Sequence, residues 1–269
     1  MELQIVEGVG DVLRSVAASV VMPRFAALRP DDIVMKSPNE PVTIADREAE
    51  ESIGRALLAL LPGSRIVGEE ACAADPALVE QLGDGMVWLI DPIDGTANFA
   101  AGRAPFAMMV ALLRNGETVG SWILDPLTDR LAMAERGGGA WIDGQRLCAS
   151  TTERDLDSLV GIVSEAFLPS QQHAMIDRLR AAVGETVPTL RCAGHEYPLV
   201  AIGGHDFALY WRTLAWDHAP GALLLTEAGG AVTHLDGSAY QPARPRQGLL
   251  LTHNPLISKE LIAVIREQG

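Results

Sequence analysis

Cysteine is scarce in this sequence of 269 residues: Cys72, Cys148 and Cys192 lie far apart without CxxC spacing, which excludes a disulfide framework and a zinc knuckle. A reducing compartment, the cytoplasm, is therefore expected. Positive charge is scarce too. The 21 Lys and Arg are outnumbered by 35 Asp and Glu, for a net charge of −14, so the long-range field repels a phosphate backbone and no nucleic-acid partner is expected. No stretch approaches the roughly 18 uncharged apolar residues of a membrane span. Glu2, Glu7 and Asp11 stand where a secretory leader would be basic, and Arg14 interrupts the apolar residues behind them, so a soluble chain without a leader is predicted. Internal repeats, low-complexity tracts and a flexible linker near residue 150 are all missing. No Ser/His/Asp or reactive-Cys arrangement stands out, because His173, His195, His205, His218 and His234 share no spacing.

What is present is material for a core. With 48% hydrophobic residues, the chain can fill one large domain or two closely joined subdomains. Apolar positions at helical spacing from Ile5 to Val21 predict a helix over residues 4–28. RPDDIVMKSPNEPVTIAD reads as a loop, and REAEESIGRALLALLPG resumes the helical period up to Pro62-Gly63. SRIVGEE and GMVWLIDP are short apolar runs that break into acids, as strands do when their ends open onto a site. Over residues 105–150, apolar runs separated by Asn115-Gly116, Gly137-Gly138-Gly139 and Asp143-Gly144 predict a meander of mostly antiparallel strands. Beyond about residue 155 strands alternate with helices at 171–182, near 196–203, at 217–228 and at 255–267, which predicts a sheet covered by helices. The division expected is an α+β unit over 1–150 and an α/β unit over 151–269 that completes the site.

The run WLIDPIDGTANFA, residues 88–100, places Asp91 and Asp94 around Pro92-Ile93 at the end of an apolar strand. Proline fixes its own φ and extends the residue before it, and Gly95 permits a sharp turn. Both carboxylates can then converge on one point beside the Ile93 carbonyl. Thr96 follows at a predicted helix start, where free N–H groups favour an anion. Hard-cation ligands beside a phosphate cradle make a coherent pair. The plainer reading is that Asp94 is a turn residue and Asp91 a strand-end cap. Asp217 in WDHAPGALLLTEAGG can likewise be an N-cap, with Pro220 in the first turn.

WLIDPIDGTANF with GEE upstream and WDHAPGALLLTEAGG downstream resembles the inositol monophosphatase family of metal-dependent phosphatases, and the likeness includes VTIAD at 42–46 and Lys36. The resemblance implies a layered αβαβα sandwich, α/β (α+β) in class, and a homodimer. It implies two or three Mg²⁺ ions on Glu69, Asp91, the Ile93 carbonyl, Asp94 and Asp217, Glu69 being favoured over Glu70. Asp46 and Thr96 match the pair that orients and deprotonates the attacking water, with Glu69 on the catalytic metal. Thr43-x-x-Asp46 also has the spacing of a capping box. Lys36 stands either near the site or in solvent. The Gly95 and Thr96 amides would take phosphate oxygens, and Asp94 and Asp217 would border the substrate. The activity implied is hydrolysis of a small phosphorylated metabolite.

Three departures concern the substrate. The family's ring-contacting glutamate lies seven residues before the last ligand aspartate, and Tyr210 stands there. His195-Glu196 replaces small residues behind Gly194 in the helix beside the substrate, and Glu196 could restore an acidic contact. Arg212 adds a cation that could pair with a second phosphate or a carboxylate, or simply lie on the surface. A sugar bisphosphate such as fructose 1,6-bisphosphate, histidinol phosphate or a 3′-phosphorylated adenine nucleotide therefore compete with inositol phosphate. A protein that keeps the fold mainly to bind a macromolecular partner is the alternative outside catalysis.

Overall fold

The computed structural model describes residues 3–37, 40–149 and 154–266. The chain opens with helix α1 (Leu3–Val16), a hairpin of β1 (Ile33–Ser37) and β2 (Glu40–Thr43), and helix α2 (Ile44–Leu60). Next come β3 (Arg65–Gly68), the short helix α3 (Glu69–Ala74), β4 (Met86–Asp94) and the short helix α4 (Thr96–Ala100). Strands β5 (Ala107–Arg114), β6 (Glu117–Asp125), β7 (Arg130–Glu135), β8 (Gly139–Ile142) and β9 (Gln145–Arg146) complete a seven-stranded sheet in sequential order, antiparallel except where β3 runs alongside β4.

The rest of the chain runs β10 (Val160–Val163), α5 (His173–Ala182), β11 (Glu185–Pro188), α6 (Ala193–Ala201) and β12 (Phe207–Tyr210). It ends with α7 (Ala215–Ala228), β13 (Ala231–His234), β14 (Leu249–Thr252) and α8 (Pro255–Arg266). Its five-stranded sheet has the order β11-β10-β12-β14-β13. These layers form the αβαβα sandwich.

Period-two burial explains the stacking. In β4, Trp88 and Ile90 pack under α1 and α2 with Leu13, Ile53 and Leu57, while Val87 and Leu89 face the other side with Trp216 and Ala219 of α7. Helices α6 and α7 thus lie between the two sheets, and α7 is apolar on nearly all sides because it is covered on all sides. The outer face of the smaller sheet, with Val163, Phe207, Leu209 and Leu250, is closed by Ile176 and Leu179 of α5 and Leu261 and Ile265 of α8.

Several boundaries differ from the sequence reading. The helix predicted over 4–28 is regular only to Val16 and continues as a π-turn (Ala17–Val21) and a 3₁₀ turn (Met22–Arg24), where Pro23 lacks the N–H to carry the ladder on. The predicted loop at 29–46 contains the β1–β2 hairpin, and α2 begins inside it at Ile44, capped by Thr43. Helix α7 starts at Ala215 behind an extended Leu214, so Asp217 sits within the first turn instead of capping it, and Pro220 falls in the second turn. Among the described residues, no helix is long and apolar enough to cross a membrane.

Candidate active site

A bulge in β4 brings Asp91 and Asp94 together. Residues three apart on a regular strand point to opposite faces, but Asp91 pairs with Met109 and Asp94 with Ala107, so three steps on β4 match two on β5. The extra residue restores a common face. Met109 and Ala107 belong to the cluster packed on α6 and α7, so both carboxylates face the middle layer. Ile93 turns its side chain the other way, into the core under α1 and α2. Gly95 ends the strand at φ +84°, a conformation costly for any residue with a Cβ, and a Cβ there would also stand 3.0 Å from the Pro105 carbonyl oxygen.

Three elements deliver the other acids. Glu69 opens α3, directly behind the strand parallel to β4. Asp217 comes from the first turn of α7, and Asp46 from the first turn of α2. The acids Glu69, Asp91, Asp94 and Asp217 line one pocket of about 760 Å³ together with Lys36, Glu40, Gly95, Thr96, Glu196, Tyr210 and Arg212. Burial raises the Asp91 carboxyl well above its ordinary range, and the charges of Glu69, Asp94, Asp217 and Asp46 add to the effect. Asp217 is raised in the same way, first by burial and then by Glu69 and Asp94. Burial pushes Asp94 up to about 7 although its Oδ2 accepts the Gly194 N–H at 2.6 Å. Such a cluster is stable as anions only with a cation nearby.

The capping-box and site readings of Asp46 coexist. Its Oδ2 accepts the Thr43 N–H at 2.7 Å and the Thr43 hydroxyl at 2.6 Å, completing the cap of α2. Its Oδ1 lies 3.2 Å from the Thr96 hydroxyl oxygen, which also stands 2.9 Å from the Ile93 carbonyl oxygen. Burial raises the Asp46 carboxyl to about 7. Thr96 thereby links the base of α2 to the bulge that carries the acids.

The donor set fits a hard divalent cation. All its members are oxygens, and Asp91 Oδ1 is buried with no hydrogen-bond partner, an arrangement costly unless something positive meets it. Among the described residues, no three His, Cys, Asp or Glu side chains stand in finished cation-enclosing geometry. Lys36 takes part of the charge: its ammonium lies 3.0 Å from Glu69 and 2.5 Å from Glu70. Burial works against that ammonium, but the two glutamates outweigh it and raise its pKa.

The substrate-side residues are placed differently from expectation. Glu196 is fully buried, its Oε1 accepting from the Thr189 hydroxyl at 2.7 Å and from the Leu190 N–H, and its Oε2 from the Tyr210 hydroxyl. Its carboxylate thus ties the pocket wall together rather than offering a free acceptor to a ligand. Tyr210 stacks on Tyr197 with ring planes 8° apart. Gly194 uses its N–H to pin Asp94. Arg212 bonds Glu40 of the hairpin and lies over the Phe167 ring at 3.6 Å, so it bridges the pocket mouth. Glu40 and Phe167 line the pocket but were not legible as site residues; Glu50, outside that lining, carried only its place one helical turn after Asp46 in α2.

The sequence profile described as the inositol monophosphatase family matches residues 4–269. An inositol-1-monophosphatase of Rhizobium meliloti is 32% identical over 245 residues, covering 90% of this chain and 89% of the relative. A histidinol-phosphatase of Chlorobaculum parvum is 33% identical over 235 residues, covering 87% and 86%. Among solved structures, the extragenic suppressor protein suhB of Bartonella henselae superposes with a TM-score of 0.82 at 26% identity, covering 98% of this chain and 99% of that one.

Proposed function

Because the chain belongs to the inositol monophosphatase family, whose members are metal-dependent phosphatases of small phosphorylated metabolites, we propose that this protein is a Mg²⁺-dependent phosphomonoesterase. Glu69, Asp91, the Ile93 carbonyl, Asp94 and Asp217 hold its two or three ions. What carries this reading is the β4 bulge, which turns Asp91 and Asp94 to one face and leaves Asp91 Oδ1 buried without a partner. When bound, the ions lower the pKa of a water and neutralise phosphate charge.

The chain's own groups supply the remainder. Thr96 accepts a proton from the attacking water while its hydroxyl donates to Asp46 Oδ1, 3.2 Å away, so the proton passes on to that carboxylate. The Gly95 and Thr96 amides, at the turn into α4, receive phosphate oxygens. Lys36, 3.0 Å from Glu69, would yield that carboxylate to a divalent ion. Asp94 and Asp217 border the ester, and Arg212 with Tyr210 limits what the rest of the substrate can be. With the Tyr210 hydroxyl and both Glu196 oxygens already bonded to each other and to the chain, a polyol ring finds no free carboxylate on that wall. Inositol 1-phosphate is therefore expected to rank below the best substrate.

Free thiols at Cys72, Cys148 and Cys192 support a cytoplasmic setting, and family likeness supports a homodimer, which sedimentation would test. The reaction is tested by phosphate release from an aryl phosphate with Mg²⁺ and with excess chelator. Activity that persists in chelator contradicts the proposal. Ranking inositol 1-phosphate, histidinol phosphate, fructose 1,6-bisphosphate and a 3′-phosphorylated adenine nucleotide by kcat/KM then identifies the substrate class.

A further inference from the structure

Glu50 is a buried acid with no part in the chemistry above. It lies on α2 one turn after Asp46, on the same helical face. Its Oε2 accepts the Glu70 N–H at 2.7 Å and its Oε1 the Ala71 N–H at 2.9 Å. These are first-turn amides of α3, the helix that Glu69 opens, and the N-cap residue of that helix, Gly68, supplies no side-chain cap of its own. The missing cap comes from 20 residues upstream. Gly68 makes room for it: a Cβ at that position would stand 2.2 Å from the Glu50 carboxyl carbon.

A carboxylate here is an uneconomical choice for a cap alone. It is buried beside two further acids, Glu69 and Glu70, and burial with their charges raises Glu50 to about 7 against the two N–H bonds that lower it. A neutral acceptor would avoid that repulsion. What a carboxylate adds is two charge-assisted acceptors of fixed spacing, which orient two successive amides at once. The side chain of Glu70 is held from the other side by Lys36 at 2.5 Å. The start of α3 is thereby fixed in direction as well as position.

We propose that Glu50 is a positioning residue for Glu69: through the Glu70 and Ala71 amides it aims the first turn of α3 so that the Glu69 carboxylate meets Asp91. Helix α2 then sets two distances together, Asp46 to Thr96 at its first turn and Glu50 to α3 one turn later. This inference rests on the metal cluster of the preceding section and extends it to residues that touch neither ion nor substrate.

The test uses the full-length protein with Mn²⁺ as probe, titrated without substrate and assayed for turnover separately with an aryl phosphate. Calorimetric titration of Glu50→Gln should show Mn²⁺ binding weakened by about 10- to 100-fold, while kcat at saturating Mn²⁺ stays within about threefold, because no reacting group is lost. Hydrogen exchange in the peptide spanning Glu69–Ala74 should speed up in the metal-free protein. Gly68→Ala, which pushes the carboxylate off its amides while leaving it in the chain, should weaken Mn²⁺ in the same way and serves if Glu50→Gln does not fold. A purely structural role would lower Tm without moving Mn²⁺ affinity, as Leu261→Ala in the distant α8 should do. Unchanged Mn²⁺ affinity in the folded variant overturns the inference alone. Wild-type protein that takes up no Mn²⁺ overturns the metal cluster, and this inference with it.

Discussion

Asp91, Asp94 and Asp217 on the pocket floor, and Asp46 behind it, are carboxyls whose pKa values burial and neighbouring acids hold above the ordinary range. At the rim the acids already have cations: Glu69 and Glu70 face Lys36, and Glu40 faces Arg212. The floor is held by the backbone, through the β4 bulge and the Gly194 N–H, whereas the rim is held by side chains on a hairpin open to solvent. The difference teaches where energy is stored. In the proposed metal-bound state a divalent ion would relieve the floor and compete at the rim with a lysine, so metal binding would couple the two regions.

The largest effect should come from the floor. Asp94→Asn is expected to lower kcat for an aryl phosphate on the order of 10³-fold while leaving the metal-free protein as stable as wild type or more so, because it removes one of the repelling charges. A folded Asp94→Asn enzyme with near-normal turnover would remove the contrast between floor and rim.

Next, Mg²⁺ at about 100 times its Kd should stabilise the fold by ~2.7 kcal/mol, read as a rise in Tm of roughly 5–10 °C for a chain of this size. The rise should shrink as pH falls below about 7, since protons compete with the ion for Asp94; Asp46, outside the ligand set, titrates in the same range. Without metal the sign reverses for these two groups. Their folded pKa values of about 7 lie above the ordinary 3.8, so the stability they contribute is fully present below pH 3.8 and lost as pH rises through 7. Thermal melts of metal-free wild type and Asp94→Asn across that window should diverge, the variant losing less on the alkaline side.

His218 opposes that trend. Buried between Tyr197 and the Arg212 carbonyl, it is pushed from 6.5 down to about 4, so its contribution is present above pH 6.5 and lost as pH falls through 4. His218→Asn should flatten the acid limb of the melt series; an unchanged limb would show that the floor alone sets the pH response.

The smallest effect should come from the rim. Glu40→Gln breaks a pair about one-third exposed on each side, and after solvent screening should cost no more than ~1 kcal/mol. Turnover of an aryl phosphate should stay within about threefold of wild type, whereas substrates carrying a second anionic group should gain, because Arg212 is released to meet them. A general loss of activity would place Glu40 in the chemistry instead.

The floor was more legible than the rim, for physical reasons. Asp-Pro-x-Asp-Gly announces two acids at a strand end with a sharp turn behind them, and the helical and strand periods around it predicted the strands and helices, whereas the layered arrangement was what the family resemblance implied. The convergence of the two acids was expected from Pro92 and Gly95, but the bulge that turns them to one face was not legible, because it depends on pairing with Met109 and Ala107, a property of register. The hairpin escaped the reading because β1 is exposed or half-exposed along its whole length, so no apolar alternation marks it. The start of α7 was set two residues late because Leu214, a residue with no capping side chain, precedes it. Glu196 carried a recognisable charge but not its partners, which come from residues 189, 190 and 210. Glu50 had a visible place on α2, yet its purpose lies in amides 20 residues away.

Anomalous diffraction from crystals soaked in Mn²⁺ addresses the convergence of these acids most directly. Two or three anomalous peaks are expected, bounded by Glu69, Asp91, the Ile93 carbonyl, Asp94 and Asp217, with Lys36 displaced from Glu69. Mn²⁺ bound elsewhere, or Glu69 still paired with Lys36 and no density beside Asp91 Oδ1, would contradict it.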